Sequence, residues 1–93
     1  MKRIRWSPRA LHDLRRQFSY LLQIDAALAS STVVTIDARA EWLAEHSLLG
    51  SPVMGGRRKL LVPDTPYLIF YRSDDAEVRI LRIRHTAEDW RPR

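Results

Sequence analysis

Apolar residues follow two different periods along the chain, and the changeovers mark its elements. Ile4 and Trp6 alternate with Arg3 and Arg5, the period of a short strand. Ser7-Pro8 stops it: serine as N-cap followed by proline at the first helical position is a strong helix start. Leu11, Leu14, Phe18, Leu21 and Leu22 then recur at helical spacing and predict a helix from Pro8 to about Leu22. Trp6 and Leu11 are placed to staple its first turn, and Arg9, Asp13, Arg16 and Gln23 lie mostly off the stripe. Asp25 can cap a second helix through Ala26–His46, with Ala29, Val33, Ile36, Ala40 and Leu43 as its stripe. The β-branched run Thr32–Ile36 could be a strand by itself, but flanking alanines and the sustained spacing favour helix. Leu48-Leu49-Gly50-Ser51-Pro52 ends it, and Val53-Met54-Gly55-Gly56 reads as a flexible link.

Beyond that link the period shortens. Lys59–Val62, Tyr67–Tyr71 and Val78–Ile83 are short runs rich in β-branched and aromatic residues. Pro63-Asp64-Thr65-Pro66 and Ser73-Asp74-Asp75 separate them, so the natural arrangement is an antiparallel meander. The whole order predicts an α+β fold (β-α-α-β-β-β). It is an antiparallel four-stranded sheet with a two-helix hairpin on one face, the N-terminal strand lying beside Val78–Ile83. In the middle run, alternation puts Tyr67, Ile69 and Tyr71 on one side and Leu68, Phe70 and Arg72 on the other. The helices cover the first side. The second is expected to expose Leu68 and Phe70 among cations, since Arg57, Arg58 and Lys59 open the first run and Arg79, Arg82, Arg84 and His85 belong to the last.

Ninety-three residues, 45% hydrophobic and 29% charged, suit one globular domain over 1–93 that buries somewhat under two-thirds of its surface. The net charge of +5 favours acidic partners, but the excess is small in each half, so clustering carries the signal. With no cysteine there is no disulfide, thiolate metal site or cysteine nucleophile. His12 and His46 have no metal-ligand partner at useful spacing, and no cofactor is implied. The start, MKRIRWSP, lacks the apolar stretch of a signal peptide and no run spans a bilayer, so a cytoplasmic location without membrane contact is expected.

Several words in this order carry a resemblance. They are Trp6-Ser7-Pro8-Arg9-Ala10 with Asp13-Leu14, Leu49-Gly50, Arg58-Lys59-Leu60-Leu61-Val62-Pro63 and Pro66-Tyr67-Leu68-Ile69-Phe70-Tyr71-Arg72. The last is Val78–His85 followed by Asp89-Trp90. Together they resemble the RelE/ParE superfamily of bacterial toxin–antitoxin toxins over nearly the whole chain. The resemblance implies a small toxin in a hetero-oligomer with a cognate antitoxin, which covers the basic sheet face and through which alone operator DNA would be contacted. It leaves two targets open. RelE-like members cut mRNA on the ribosome; ParE-like members poison DNA gyrase and need no catalytic residues.

For RNA cleavage, Arg72 would stabilise phosphorane charge and His85 would act as general acid or base. Arg58 or Lys59 would bind phosphate and Arg84 the substrate backbone. Adjacent strand residues point to opposite faces, so Arg84 and His85 share a pocket only at a bulge or strand end. The tail Thr86–Arg93 lacks the tyrosine of the best-known RelE nucleases, and Glu45 is the nearest match by order to the glutamate of another branch. The incomplete set favours gyrase inhibition over mRNA cleavage; a further alternative, outside toxins, is a non-toxic basic nucleic-acid-binding domain. The expected antitoxin- or target-binding set is Arg57, Arg58, Lys59, Leu68, Phe70, Arg72, Arg82, Arg84, Trp90 and Arg91. Blander roles compete: His85 ending its strand on a backbone group or Asp89, Arg72 paired with Asp74 or Glu77, and Trp6 and Trp42 as core residues.

Overall fold

The computed structural model of the chain describes residues 1–87; Asp89, Trp90 and Arg91 lie outside them. Strand β1 (Arg3–Trp6) leads directly into helix α1 (Pro8–Leu22), which is followed by α2 (Ala26–Trp42). The remaining elements are strands β2 (Ser51–Val53), β3 (Arg57–Leu61), β4 (Tyr67–Ser73) and β5 (Glu77–His85). The strands form one sheet in the order β1-β5-β4-β3-β2.

The helices start at the residues that can cap them. Ser7 Oγ accepts the Ala10 N–H at 3.0 Å, and the Asp25 carboxylate accepts those of Ala27 and Leu28 at 2.9 and 3.1 Å. Regular α2 ends at Trp42, short of the expected His46. The chain keeps coiling to His46, however, with N–H groups reaching back three residues rather than four, as from Glu45 to Trp42 and His46 to Leu43. The Thr32–Ile36 run is helical: Thr32 and Ile36 are buried and Val34 points outward. Leu22, expected on the α1 stripe, is exposed. Neighbours on a helix lie 100° apart, and Leu21 takes the inward position. Ala10, Ile36, Ala40 and Leu43 pack against Tyr67, Ile69 and Tyr71 of β4 and Val78, Ile80 and Ile83 of β5.

The sheet departs from the expected four antiparallel strands in three ways. First, Val53–Gly56 is no flexible link. Gly55 and Gly56 adopt φ of 79° and 72°, a conformation open to glycine, and fold β2 back antiparallel onto β3. Second, β1 runs parallel to β5, pairing Arg3 with Glu77 and Trp6 with Ile80. The reason is the helix that follows: Ser7 N–H donates to Ile80 O, Ser7 Oγ to Leu81 O, and α1 continues forward along β5 to Ile83. Third, the β4–β5 register slips, from Tyr71 opposite Ile80 to Phe70 opposite Arg82, leaving Leu81 as a bulge.

β1 ends beside Ile80, so the outer edge of β5 beyond it has no strand partner among the described residues. Asp13 of α1 fills the gap. Its carboxylate, buried to 7% exposure, accepts the Ile83 backbone N–H at 3.0 Å and two Arg82 guanidinium N–H groups at 2.7 and 3.2 Å. A carboxylate receiving both fastens helix to sheet.

A second lock holds the loop after α2. Tyr71 Oη donates to Ser47 O at 2.8 Å and accepts the Gly50 N–H at 2.9 Å, and Arg58 Nη1 donates to Leu48 O and Gly50 O. Burial pushes the Tyr71 hydroxyl above its ordinary value of 10.0, so it stays protonated and able to donate at neutral pH. Gly50 sits so close that a Cβ there would lie 2.5 Å from Tyr71 Oη and 2.9 Å from Lys59 O.

Three variants test these contacts by urea denaturation. Gly50→Ala should cost about 1–3 kcal/mol by overpacking. Tyr71→Phe should cost about 1–2 kcal/mol at neutral pH. A raised tyrosine contributes stability that is complete below pH 10.0 and lost as pH rises through the folded value, so Tyr71→Phe should also flatten the alkaline limb of the stability profile. Asp13→Ala should cost about 3 kcal/mol, because it strands a partly buried guanidinium and an edge N–H together; a change under about 1 kcal/mol would contradict the fastening role.

Candidate functional site

The sheet face turned away from the helices follows from the registers. Tyr67, Ile69 and Tyr71 belong to the core, so Leu68, Phe70 and Arg72 face the other way. Their cross-strand neighbours share that face: Leu61 and Arg84 beside Leu68, Lys59 and Arg82 beside Phe70, Arg79 beside Arg72, and Arg5 beside Arg79. A cationic face therefore exists. It is less greasy than expected, because Leu68 is half-buried and Phe70 is only 3% exposed. The long aliphatic stems of residues such as Lys59 and Arg82 are suited to covering apolar surface beside them.

The expected site residues do not converge. Arg58 turns to the helix side, in register with buried Tyr71, where it holds the Leu48 and Gly50 carbonyls. Arg57 Nε donates to Met54 O at 3.1 Å, and Arg72 donates to Gly55 O rather than pairing with Asp74 or Glu77. Both thereby grip the turn between β2 and β3. Arg82 is bound to Asp13. Glu77 pairs with Arg5 at 3.5 Å, and Asp74 instead caps its own turn. The Glu77 and Ala76 backbone N–H groups hold the Asp74 carboxyl below its ordinary value.

His85 stands at the far end of β5, opposite Tyr67 and edge-on to its ring with centroids 5.5 Å apart. Its Nδ1 accepts the Ala87 N–H at 3.0 Å. Arg84 lies opposite Leu68, on the other face; the bulge at Leu81 precedes both residues and so does not unite them. Arg72 pairs with Arg79 and His85 with Tyr67, five positions apart along β4. At about 3.3 Å per residue, some 17 Å of strand separates their backbone positions. Glu45 is exposed, and its neighbour Ala44 accepts the Lys2 N–H next to the start of β1, the end of the sheet opposite His85.

Two clefts frame the ends. One of about 380 Å³ is lined by Asp13, Arg16, Gln17, Tyr20 and residues 82–85. Another of about 410 Å³ lies between the start of α1 and the open face, lined by Arg9, Arg57, Arg79, Leu81 and Arg82 among others. Among the described residues, no group of three histidines, aspartates or glutamates is placed to hold a metal ion. The expectations missed Asp13, placed off the buried stripe, and the contribution of Arg5. Alternation in β1 does put Arg5 on the polar side; only the register sets it beside Arg79.

Comparison with known proteins accords with this geometry. The chain is 36% identical over 90 residues to the Y4kP protein of Sinorhizobium fredii, covering 96% of this chain and 93% of that one. It is 37% identical over 90 residues to toxin RelE3 of Caulobacter vibrioides, covering 95% and 98%. The fold superposes on a structure of the chromosomal ParDE toxin–antitoxin system of P. aeruginosa with a TM-score of 0.82 at 24% identity, over 91% of this chain and 96% of that one. It superposes on the E. coli DinJ-YafQ toxin–antitoxin complex with a TM-score of 0.63 at 18% identity, over 97% and 98%. Residues 4–90 match the family described as the ParE toxin of the type II toxin–antitoxin system parDE, and the chain belongs to that family.

Proposed function

We propose that this toxin acts by binding DNA gyrase and is neutralised by direct contact with a cognate antitoxin. The observation that carries the choice of target is the separation of Arg72 from His85 at opposite ends of the sheet. Cleavage of RNA needs a proton acceptor, a proton donor and a cation around one phosphate. Here Arg58 and Arg82 are committed to protein groups, the Leu48 and Gly50 carbonyls and the Asp13 carboxylate, and Arg72 stands far from His85. A binding surface has no such requirement. Exposed Leu48, Leu49, Met54 and Leu61 near the β2–β3 edge supply apolar area for the antitoxin beside the cations. No helix among the described residues is long and apolar enough to cross a membrane, which suits a toxin acting in the cytoplasm.

The second reading is a ribosome-dependent mRNA endonuclease. The name of toxin RelE3 favours it, as does the polar cleft at His85.

Expression without antitoxin separates the two. Wild type and His85→Ala should arrest growth equally, induce DNA-damage signalling and inhibit gyrase supercoiling in vitro. A drop in toxicity of about 100-fold or more in His85→Ala, with antitoxin binding intact, is what loss of a general acid or base would produce. That result, together with unaffected supercoiling, would replace gyrase by mRNA as the target.

A further inference from the structure

Across the open face, Arg5 of β1, Arg79 of β5 and Arg72 of β4 stand in register on three neighbouring strands. Adjacent strands lie about 4.8 Å apart, and like charges directly opposite one another destabilise a sheet. One carboxylate, Glu77, answers the row, by its contact with Arg5. Arg79 is exposed, and its side chain makes no hydrogen bond or ion pair among the described residues. Arg72 is exposed and spends one donor on Gly55 O, leaving others of its five N–H groups to point outward. Arg57 and Arg9 bring two more guanidinium groups to the cleft beside Arg79. An arrangement that costs stability and is only partly compensated marks a surface with a use.

We propose that this row binds the phosphodiester backbone of duplex DNA, and so contacts the DNA that gyrase holds. The inference rests on the gyrase reading for its setting, though not for its chemistry. The cations here are all arginines, whose planar fork matches phosphate oxygens in pairs. Protein–DNA interfaces are much more positively charged than protein–protein interfaces. Single-stranded nucleic acid is held by stacking bases on exposed aromatic rings. Among the described residues this face presents none: Trp6 packs against the core and Phe70 is buried. What the face offers is charge in a line, which suits backbone contact without base readout.

The test uses the full chain, without gyrase, and a fluorescein-labelled 20-base-pair DNA duplex followed by anisotropy. Three phosphate contacts predict a log–log salt slope of about −2.7, which is about a forty-fold loss of affinity between 50 and 200 mM salt. Arg5→Gln, Arg72→Gln and Arg79→Gln should each reduce the slope by about 1, while the charge-matched Arg15→Gln, exposed on α1, should leave it unchanged. Circular dichroism verifies folding of each variant. Equal effects from Arg15→Gln and Arg79→Gln would overturn the proposal, as would tighter binding of the single strand or equal binding of an RNA duplex. So would loss of antitoxin affinity in the row variants with DNA binding unchanged, which would assign the row to an acidic protein. Because gyrase is absent from the assay, failure here is separable from failure of supercoiling inhibition.

Discussion

The carboxylate of Asp13 joins the two layers of this molecule. β1 covers β5 only as far as Ile80, and beyond it the edge would present an open backbone N–H. Asp13 accepts that N–H and the Arg82 guanidinium with one buried group. Edge protection and helix docking are thus a single interaction. Its consequences run outward. With Asp13 seated at Ile83 and Ser7 at Leu81, α1 must advance along β5, and β1 must run parallel to it. The same contact ties half-buried Arg82 to α1, while Arg79 stays exposed on the open face.

Function in a fold this small is decided by which cations the structure uses internally. Arg58 holds the loop after α2, Arg57 and Arg72 grip the β2–β3 turn, and Arg82 anchors α1. Each adds a tie between elements of a 93-residue chain with a modest core. A catalytic guanidinium must instead be free to follow charge on a reacting phosphate. A surface that binds a partner, as proposed above, makes no such demand of its cations.

Much of this was legible in the residues. Caps at Ser7 and Asp25 set both helix starts, because capping is a local interaction between a side chain and N–H groups two or three residues on. The buried side of β4 followed from alternation alone. Two further signals were present but unread. Gly55-Gly56 between short extended runs marks a hairpin, and the adjacent apolar pair Ile80-Leu81, interrupting an alternating run, marks the bulge.

By itself, then, the sequence determined the number of helices, the three-stranded meander, the core side of the sheet and a cationic opposite side, since each depends on neighbours within a few positions. Only the tertiary structure decided that Asp13 is buried, that β1 is parallel, that Phe70 is covered, and that Arg5, Arg79 and Arg72 align while Arg72 and His85 stand apart. Those outcomes depend on register between strands distant in the chain, and one residue of slip would exchange every face.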